Sequence, residues 1–267
     1  MNILGIDIGT TTVTCLVLNT DKKEVVKSCT LKNDSFIEGE SFEKLQDPQI
    51  IINTVKSAVK EVCRNIVPDA IGVTGQMHGI LYLDKNNSPC SPLMIWQDER
   101  GNEVYKNGKT YAEYLTEITG IKAATGFGLT THFYNIINNR IPENAVMLST
   151  IHDYLVSVLT GKKPVTHSSD AASLGFFDLK DLCFSENALN TAGISKDFLP
   201  EVIKNTSLAG ETNCDFLLDG IPVSVAIGDN QASFLGSVAE PEKSVLVNVG
   251  TGSQVSFVTH STAALSC

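Results

Sequence analysis

The sequence predicts an α/β fold in which a mixed five-stranded sheet is layered with helices. Three observations lead there. Residues 3–8, 13–18 and 24–31 are runs rich in Ile, Val, Leu and Thr, joined by short turns at Gly9-Thr10-Thr11 and Asp21-Lys22-Lys23. That is the pattern of an antiparallel meander. A helical period follows over 48–66, and "DAIGVTGQ" (69–76) then reads as a buried strand. Strands on either side of a helix bury their apolar faces as α/β layers.

Each element has a local reason. Asp47 can cap the first helix and Pro48 suits its first position, while Ile51, Val55, Ala58 and Val62 share one face. "GILYLD" (79–84) reads as a further strand. Helices are expected over about 102–119, 131–139, 150–161 (closed by Gly161) and 186–194. "IPVSVAIGD" (221–229) reads as a buried strand running into a polar turn, with a short helix after Asp229. Strands 244–249 and 254–259 flank a second Gly-Thr turn.

Composition excludes some functions. The net charge of −10, without a Lys/Arg cluster, argues against binding a nucleic-acid backbone. No run of about 18 apolar residues would cross a membrane, and the first residues lack the basic start of a signal peptide. The seven cysteines are scattered without a C-x-x-C, so reduced thiols in a cytoplasmic protein are expected. The five histidines show no zinc-like spacing with cysteine or with one another.

The chemistry-bearing feature is the pair of Gly-Thr turns. "GIDIGTTT" (5–12) is echoed by "VNVGTGSQ" (247–254). Glycine lets a backbone approach a phosphate, and the threonines add N–H and O–H donors. Gly9, Thr10, Thr11, Thr12, Gly250 and Thr251 are therefore phosphate-binding candidates. Asp7, at the end of a strand, suits a Mg²⁺ ion held through water. Other phosphate motifs fail: "NGKT" (107–110) has Glu103 where a P-loop needs glycine, and no G-x-G-x-x-G occurs.

Between the turns lie "GQMHG" (75–79), "IWQDER" (95–100) and "IGDNQAS" (227–233). With "GIDIGTTT" in front, this ordered set resembles the FGGY family of carbohydrate kinases, from residue 3 to about 259. The resemblance implies the two-lobed, ribonuclease H-like fold shared with actin, hexokinase and Hsp70. A sugar-binding lobe would then span 1–237, with 238–267 opening a nucleotide-binding lobe. It implies ATP and Mg²⁺, and Asp229 as the general base on a sugar hydroxyl, although an Asp after a strand can equally cap the next helix. Gln76, Met77, His78, Trp96, Asp229 and Asn230 would meet the sugar, the Met-His pair pairing apolar and polar surface as a polyol does. Trp96 could instead be core, and Asp98 with Arg100 either an ion pair or a solvated turn.

Three further stretches, "ATGFG" (124–128), "STIHDYLVSVLTG" (149–161) and "SSDAASLGFFD" (168–178), resemble the branch acting on sedoheptulose. The implied reaction is ATP-dependent formation of sedoheptulose 7-phosphate, with xylulose as the competing ketose. Gly126 and Gly128 could leave room for a long substrate or simply serve a loop. The chain departs from the family in Glu99, where relatives carry Gly, in Gly252, where they carry Ser, and in its length. From that length we expect negligible turnover by the chain alone. A non-catalytic sugar-binding remnant and an actin- or chaperone-like ATPase are the alternatives, and a homodimer is left open.

Overall fold

A computed structural model describes residues 1–205, 207–249 and 253–259. The meander forms as strands β1 (Asn2–Ile8), β2 (Thr12–Asn19) and β3 (Glu24–Lys32), with Ile8 opposite Val13 across the first Gly-Thr turn. Helix α1 (Pro48–Val62) starts where the Asp47 side chain accepts the N–H groups of Gln49 and Ile50, with Pro48 at its first turn. The next strand, β4 (Ala70–Gly75), lies parallel to β1, as a crossover through a helix requires.

"GILYLD" does not join this sheet. Its strand β5 (Leu81–Asp84) turns away and pairs antiparallel with β6 (Ala145–Ser149). The central sheet is instead completed by β7 (Leu208–Glu211), β8 (Pro222–Ser224) and β9 (Ile227–Gly228), in the order β7-β8-β4-β1-β2-β3, with β9 also parallel to β4. It thus has seven strands where five are predicted. The predicted 221–229 strand is broken into two pieces beyond Ser224, and β7 adds an edge. The mixed α/β class is unchanged.

The intervening helices are α2 (Tyr111–Thr119), α3 (Gly128–Ile137), α4 (Ile151–Thr160), α5 (Ser168–Leu174) and α6 (Glu186–Ala192). Thr150 caps α4 at one end and Gly161, at φ +66°, closes the other. The helix predicted over 102–119 is only half helix. Val104–Lys106 and Lys109–Thr110 form a small hairpin, because Asn107 and Gly108 both adopt positive φ. Asn-Gly is the strongest short hairpin signal, and here it overrides the helical period.

Two apolar clusters hold the molecule. In one, Leu4, Ile6 and Ile8 of β1 pack with Ile51 and Val55 of α1 and Leu155 of α4. In the other, Tyr82 of β5, Leu115 of α2, Phe133 of α3 and Leu174 of α5 pack together. Further on, helix α7 (Asp229–Ser237) follows β9, and strands β10 (Val245–Val249) and β11 (Ser253–Phe257) pair antiparallel. Val247, Val249 and Val255 of that hairpin remain largely exposed. Among the described residues, no helix is long and apolar enough to cross a membrane.

Gly126 and Gly128 are explained by packing. Gly126 has φ +79°, and a Cβ there would stand 2.1 Å from the Trp96 carbonyl oxygen. A Cβ on Gly128 would press on Ile80 and Leu174 at 2.6 Å. Gly126→Ala is expected to cost about 2 kcal/mol or more in urea unfolding, from positive φ and backbone collision together. Gly193, at φ +68° with no atom within 4 Å, isolates the first effect. A loss at Gly126 no larger than in Gly193→Ala would show that the Trp96 contact relaxes freely.

Candidate functional site

Three strand ends meet at Gly75. It stands beside Ile8 on β1 and beside Gly228 on β9 in the parallel register. A Cβ on Gly75 would lie 3.1 Å from the Ile8 carbonyl oxygen and 3.2 Å from the Cβ of His152. The carboxyl ends of parallel strands are where open α/β sheets bind ligands. Asp7, Gln76 and Asp229 adjoin these three meeting points in sequence.

Asp7 alternates with the buried Ile6 and Ile8 and so opens to solvent on the other face of β1. Its carboxyl is nevertheless raised above the usual range, first by displaced water and then by the charge of Asp229, while His152 opposes the shift. Asp229 is also raised, chiefly by burial. The Asn230 backbone N–H, His152 and His78 pull it back, and Asp170 pushes it further. The N-cap of α7 is Gly228, which has no side chain to cap with, so Asp229 is the first helical residue and its carboxyl accepts the Asn230 backbone N–H. The two carboxyls therefore stand at neighbouring strand ends, near enough for Asp7 to feel the charge of Asp229.

The first Gly-Thr turn is braced by a closed set of hydrogen bonds. Gly9 N–H donates to the Thr12 carbonyl at 2.9 Å. Thr10 Oγ1 donates to Gln76 Oε1 at 3.1 Å, Gln76 Nε2 to Gln46 Oε1 at 2.8 Å, and Gln46 Nε2 back to the Thr10 carbonyl at 2.8 Å. Trp96 Nε1 donates to Thr10 Oγ1 at 3.0 Å, and Asn33 Nδ2 to the Gly9 carbonyl at 3.0 Å. Gln76 and Gln46 are buried. Thr11 and Thr12 remain exposed on the turn, as donors for an anion. Gly250 and Thr251 lie outside the described residues.

Trp96 is 47% exposed, which removes the core alternative. Met77 is buried beneath Gly228, where a Cβ would come within 2.4 Å of its sulfur. His78 adopts φ +70°, its ring stacked on Phe127 with centroids 5.0 Å apart. Such a backbone in a non-glycine residue stores strain of the kind found at functional positions. Its Nδ1 lies 2.8 Å from the Ser173 carbonyl oxygen, so Nδ1 donates. Asn230 is exposed beside Asp229.

Asp98 and Arg100 form a buried bidentate ion pair, with Nε to Oδ1 at 2.6 Å and Nη2 to Oδ2 at 3.0 Å. Arg100 also donates to Asn135 Oδ1 at 2.6 Å. The solvated-turn alternative is excluded. Glu99, at φ −99°, adopts an ordinary backbone, so the glycine found in relatives is not required there.

Sequence reasoning missed one cluster. His152 and Asp153 of α4 and Asp170 of α5 are fully buried, and one ligating atom from each lies within 4.8 Å of the others. A search for His and Cys spacing could not find it, because its partners are carboxyls from a second helix. The visible signal was an adjacent His-Asp in the otherwise apolar run "IHDYLVSVL". Gln46 and Asn33 left no comparable trace.

The sequence model for the N-terminal domain of the FGGY family of carbohydrate kinases matches residues 2–236. The chain is 27% identical over 260 residues to a glycerol kinase of Aquifex aeolicus, covering 94% of this chain and 52% of that protein. It is 29% identical over 283 residues to the sedoheptulokinase of Mus musculus, covering 94% and 58%. The chain thus spans about half the length of these curated relatives. The structure of a ligand-bound xylulose kinase from Lactobacillus acidophilus superposes with a TM-score of 0.83 at 21% identity, over 95% of this chain and 53% of that one. With the domain matched over most of its length and the strand ends built as described, the chain belongs to the FGGY family of carbohydrate kinases.

Proposed function

We propose that residues 1–237 are the sugar-binding lobe of an ATP-dependent ketose kinase and that residues from 238 begin its nucleotide-binding lobe. The observation that carries this reading is the meeting of the strand ends next to Asp7 and Asp229 at Gly75, with the exposed face of Trp96 tied to the adjoining turn. Asp229 takes the proton of the sugar hydroxyl as its oxygen bonds to the γ-phosphorus of ATP and the bond to ADP breaks. Its raised carboxyl suits a base that must accept a proton near neutral pH.

His78 Nε2 accepts a sugar hydroxyl, Trp96 covers a C–H face and Asn230 adds an amide. Gln76 and Met77 act from below, by holding the turn and filling the space under Gly228. Thr11 and Thr12 offer hydroxyls to phosphate, and Gly9 and Thr10 hold the turn in shape. Gly250 and Thr251 are the matching candidates on the second turn. The donor set fits Mg²⁺: two carboxyls at neighbouring strand ends, with Asp7 open to water, suit an ion that keeps several waters and binds one or two carboxylates. Asp7 would hold it through water, and when bound it neutralises phosphate charge.

Sedoheptulose is the substrate favoured by the segments at 124–128, 149–161 and 168–178, with xylulose as competitor. Calorimetric titration of the 267-residue chain should show sedoheptulose binding more tightly than xylulose, and glycerol most weakly. The reverse order would remove the seven-carbon assignment. His78→Ala should weaken ketose binding by about tenfold, the worth of one buried hydrogen bond and its stacking surface. In a two-lobed protein that carries this chain as its first lobe, Asp229→Asn should leave that affinity close to the parent value while cutting ketose-dependent ADP release about 10²–10⁴-fold. Undiminished ADP release would refute Asp229 as the base.

A further inference from the structure

The buried cluster of His152, Asp153 and Asp170 has no part in the reaction just described. His152 and Asp153 lie in the first turn of α4, and Asp170 in the first turn of α5. All three side chains are fully buried. His152 Nε2 lies 3.2 Å from Asp170 Oδ1. That approach aside, neither nitrogen of His152 and none of the four carboxylate oxygens has a hydrogen bond of good geometry among the described residues. The Thr166 hydroxyl, on the short strand Val165–His167 that leads into α5, is equally buried, equally unpartnered and close to Asp153. Buried polar groups are almost always paired, because an orphaned one costs about 1–3 kcal/mol. Seven such atoms gathered in one place are a donor set for an ion.

We propose that His152, Asp153 and Asp170 hold one structural zinc ion between α4 and α5, with the Thr166 hydroxyl beside it as a further oxygen donor.

The donors choose the metal. One imidazole nitrogen with carboxylate oxygens suits Zn²⁺, whereas Mg²⁺ and Ca²⁺ take oxygen ligands. Ligands about 2.0–2.2 Å from one zinc stand roughly 3–4 Å from each other. His152 and Asp170 already have that spacing at 3.2 Å. One ligating atom from each of the three residues lies within 4.8 Å of the others, so a small side-chain rotation brings Asp153 into the same range. Charge agrees with geometry. Two carboxylates around a neutral imidazole are costly in a dry interior, and a dication cancels them. The ion displaces the imidazole proton, and the positive charge behind the strand ends passes from the ring to the metal. Burial on every side leaves no open coordination position, which makes the site structural rather than catalytic. What it fixes is next to the cleft. The His152 Cβ is 3.2 Å from where a Cβ on Gly75 would stand, and Ser173 of α5 receives the His78 Nδ1–H bond. An ion joining α4 to α5 therefore braces both the strand ends and the support of His78.

The test is metal analysis of the chain, expressed in zinc-supplemented medium, purified without a metal-affinity step and gel-filtered in Mg²⁺ buffer so that Mg²⁺ competes for the cleft carboxyls. About one zinc per chain should remain, and less than about a tenth of that overturns the proposal. Zinc X-ray absorption of the same sample, which requires no variant, should show nitrogen and oxygen neighbours at about 2.0–2.2 Å; sulfur at about 2.3 Å, the mark of a cysteine site, overturns it. His152→Gln and Asp170→Asn should each lose the zinc, and a folded variant that keeps a full equivalent overturns the proposal. Where both fail to fold, the absorption spectrum of the parent decides. Asp7→Asn should keep its zinc; losing it would put the ion in the cleft and overturn the proposal. Refolding the parent from urea with a chelator in place of zinc should lower the Tm by about 5 °C or more, and an unchanged Tm overturns the structural role. Absence of ketose binding in calorimetry would remove the kinase reading and leave the zinc count unaffected, so the two ideas fail separately.

Discussion

The site depends on one steric constraint, the absence of a side chain at Gly75. Strands β1, β4 and β9 approach there so closely that a Cβ would meet the Ile8 carbonyl, and helix α4 closes in from behind through His152. A larger residue would push either the strands or the helix away. Moving the strands would part Asp7 from Asp229; moving the helix would withdraw the buried imidazole. One missing methyl group thus ties sheet register to site electrostatics.

A second constraint is polar. The ring of hydrogen bonds through Thr10, Gln76 and Gln46 is largely buried, so each member holds its partners in place. Each such bond contributes about 0.5–1.5 kcal/mol net, whereas orphaning one of its groups costs about 1–3 kcal/mol. The asymmetry makes the ring act as a unit. It holds the turn that carries Thr11 and Thr12, and through Trp96 it links that turn to the open aromatic face. The exposed threonines of the turn and the open face of Trp96 are therefore mechanically connected.

Periodicity and capping made the first half of the fold legible. The meander, α1 with Asp47 and Pro48, and parallel β4 all follow from local patterns that the packing then agrees with. Where the expectations failed, a tertiary or turn effect intervened. The apolar run 79–84 carries no mark of which sheet it will join, and it pairs with β6. Asn107-Gly108 broke a plausible helix. At the site, motif residues such as Asp7, Trp96 and Asp229 were visible because they adjoin glycines or stand out by type. His152, Asp170 and Gln46 were not, because their meaning lies in partners 18 or more residues away, and burial of a polar residue has no sequence signature.

The raised carboxyls carry a last consequence. A carboxyl whose folded pKa lies above its unfolded value makes the fold less favourable once pH rises past the unfolded value, because the folded state resists losing that proton. Asp7 and Asp229 are both of this kind. Burial of these carboxyls is therefore a cost that the apolar clusters must offset, and nearby positive charge gives relief from it. His152 supplies part of that relief from the dry side, being fully buried. A divalent cation would supply it reversibly and from the wet side, where Asp7 is exposed.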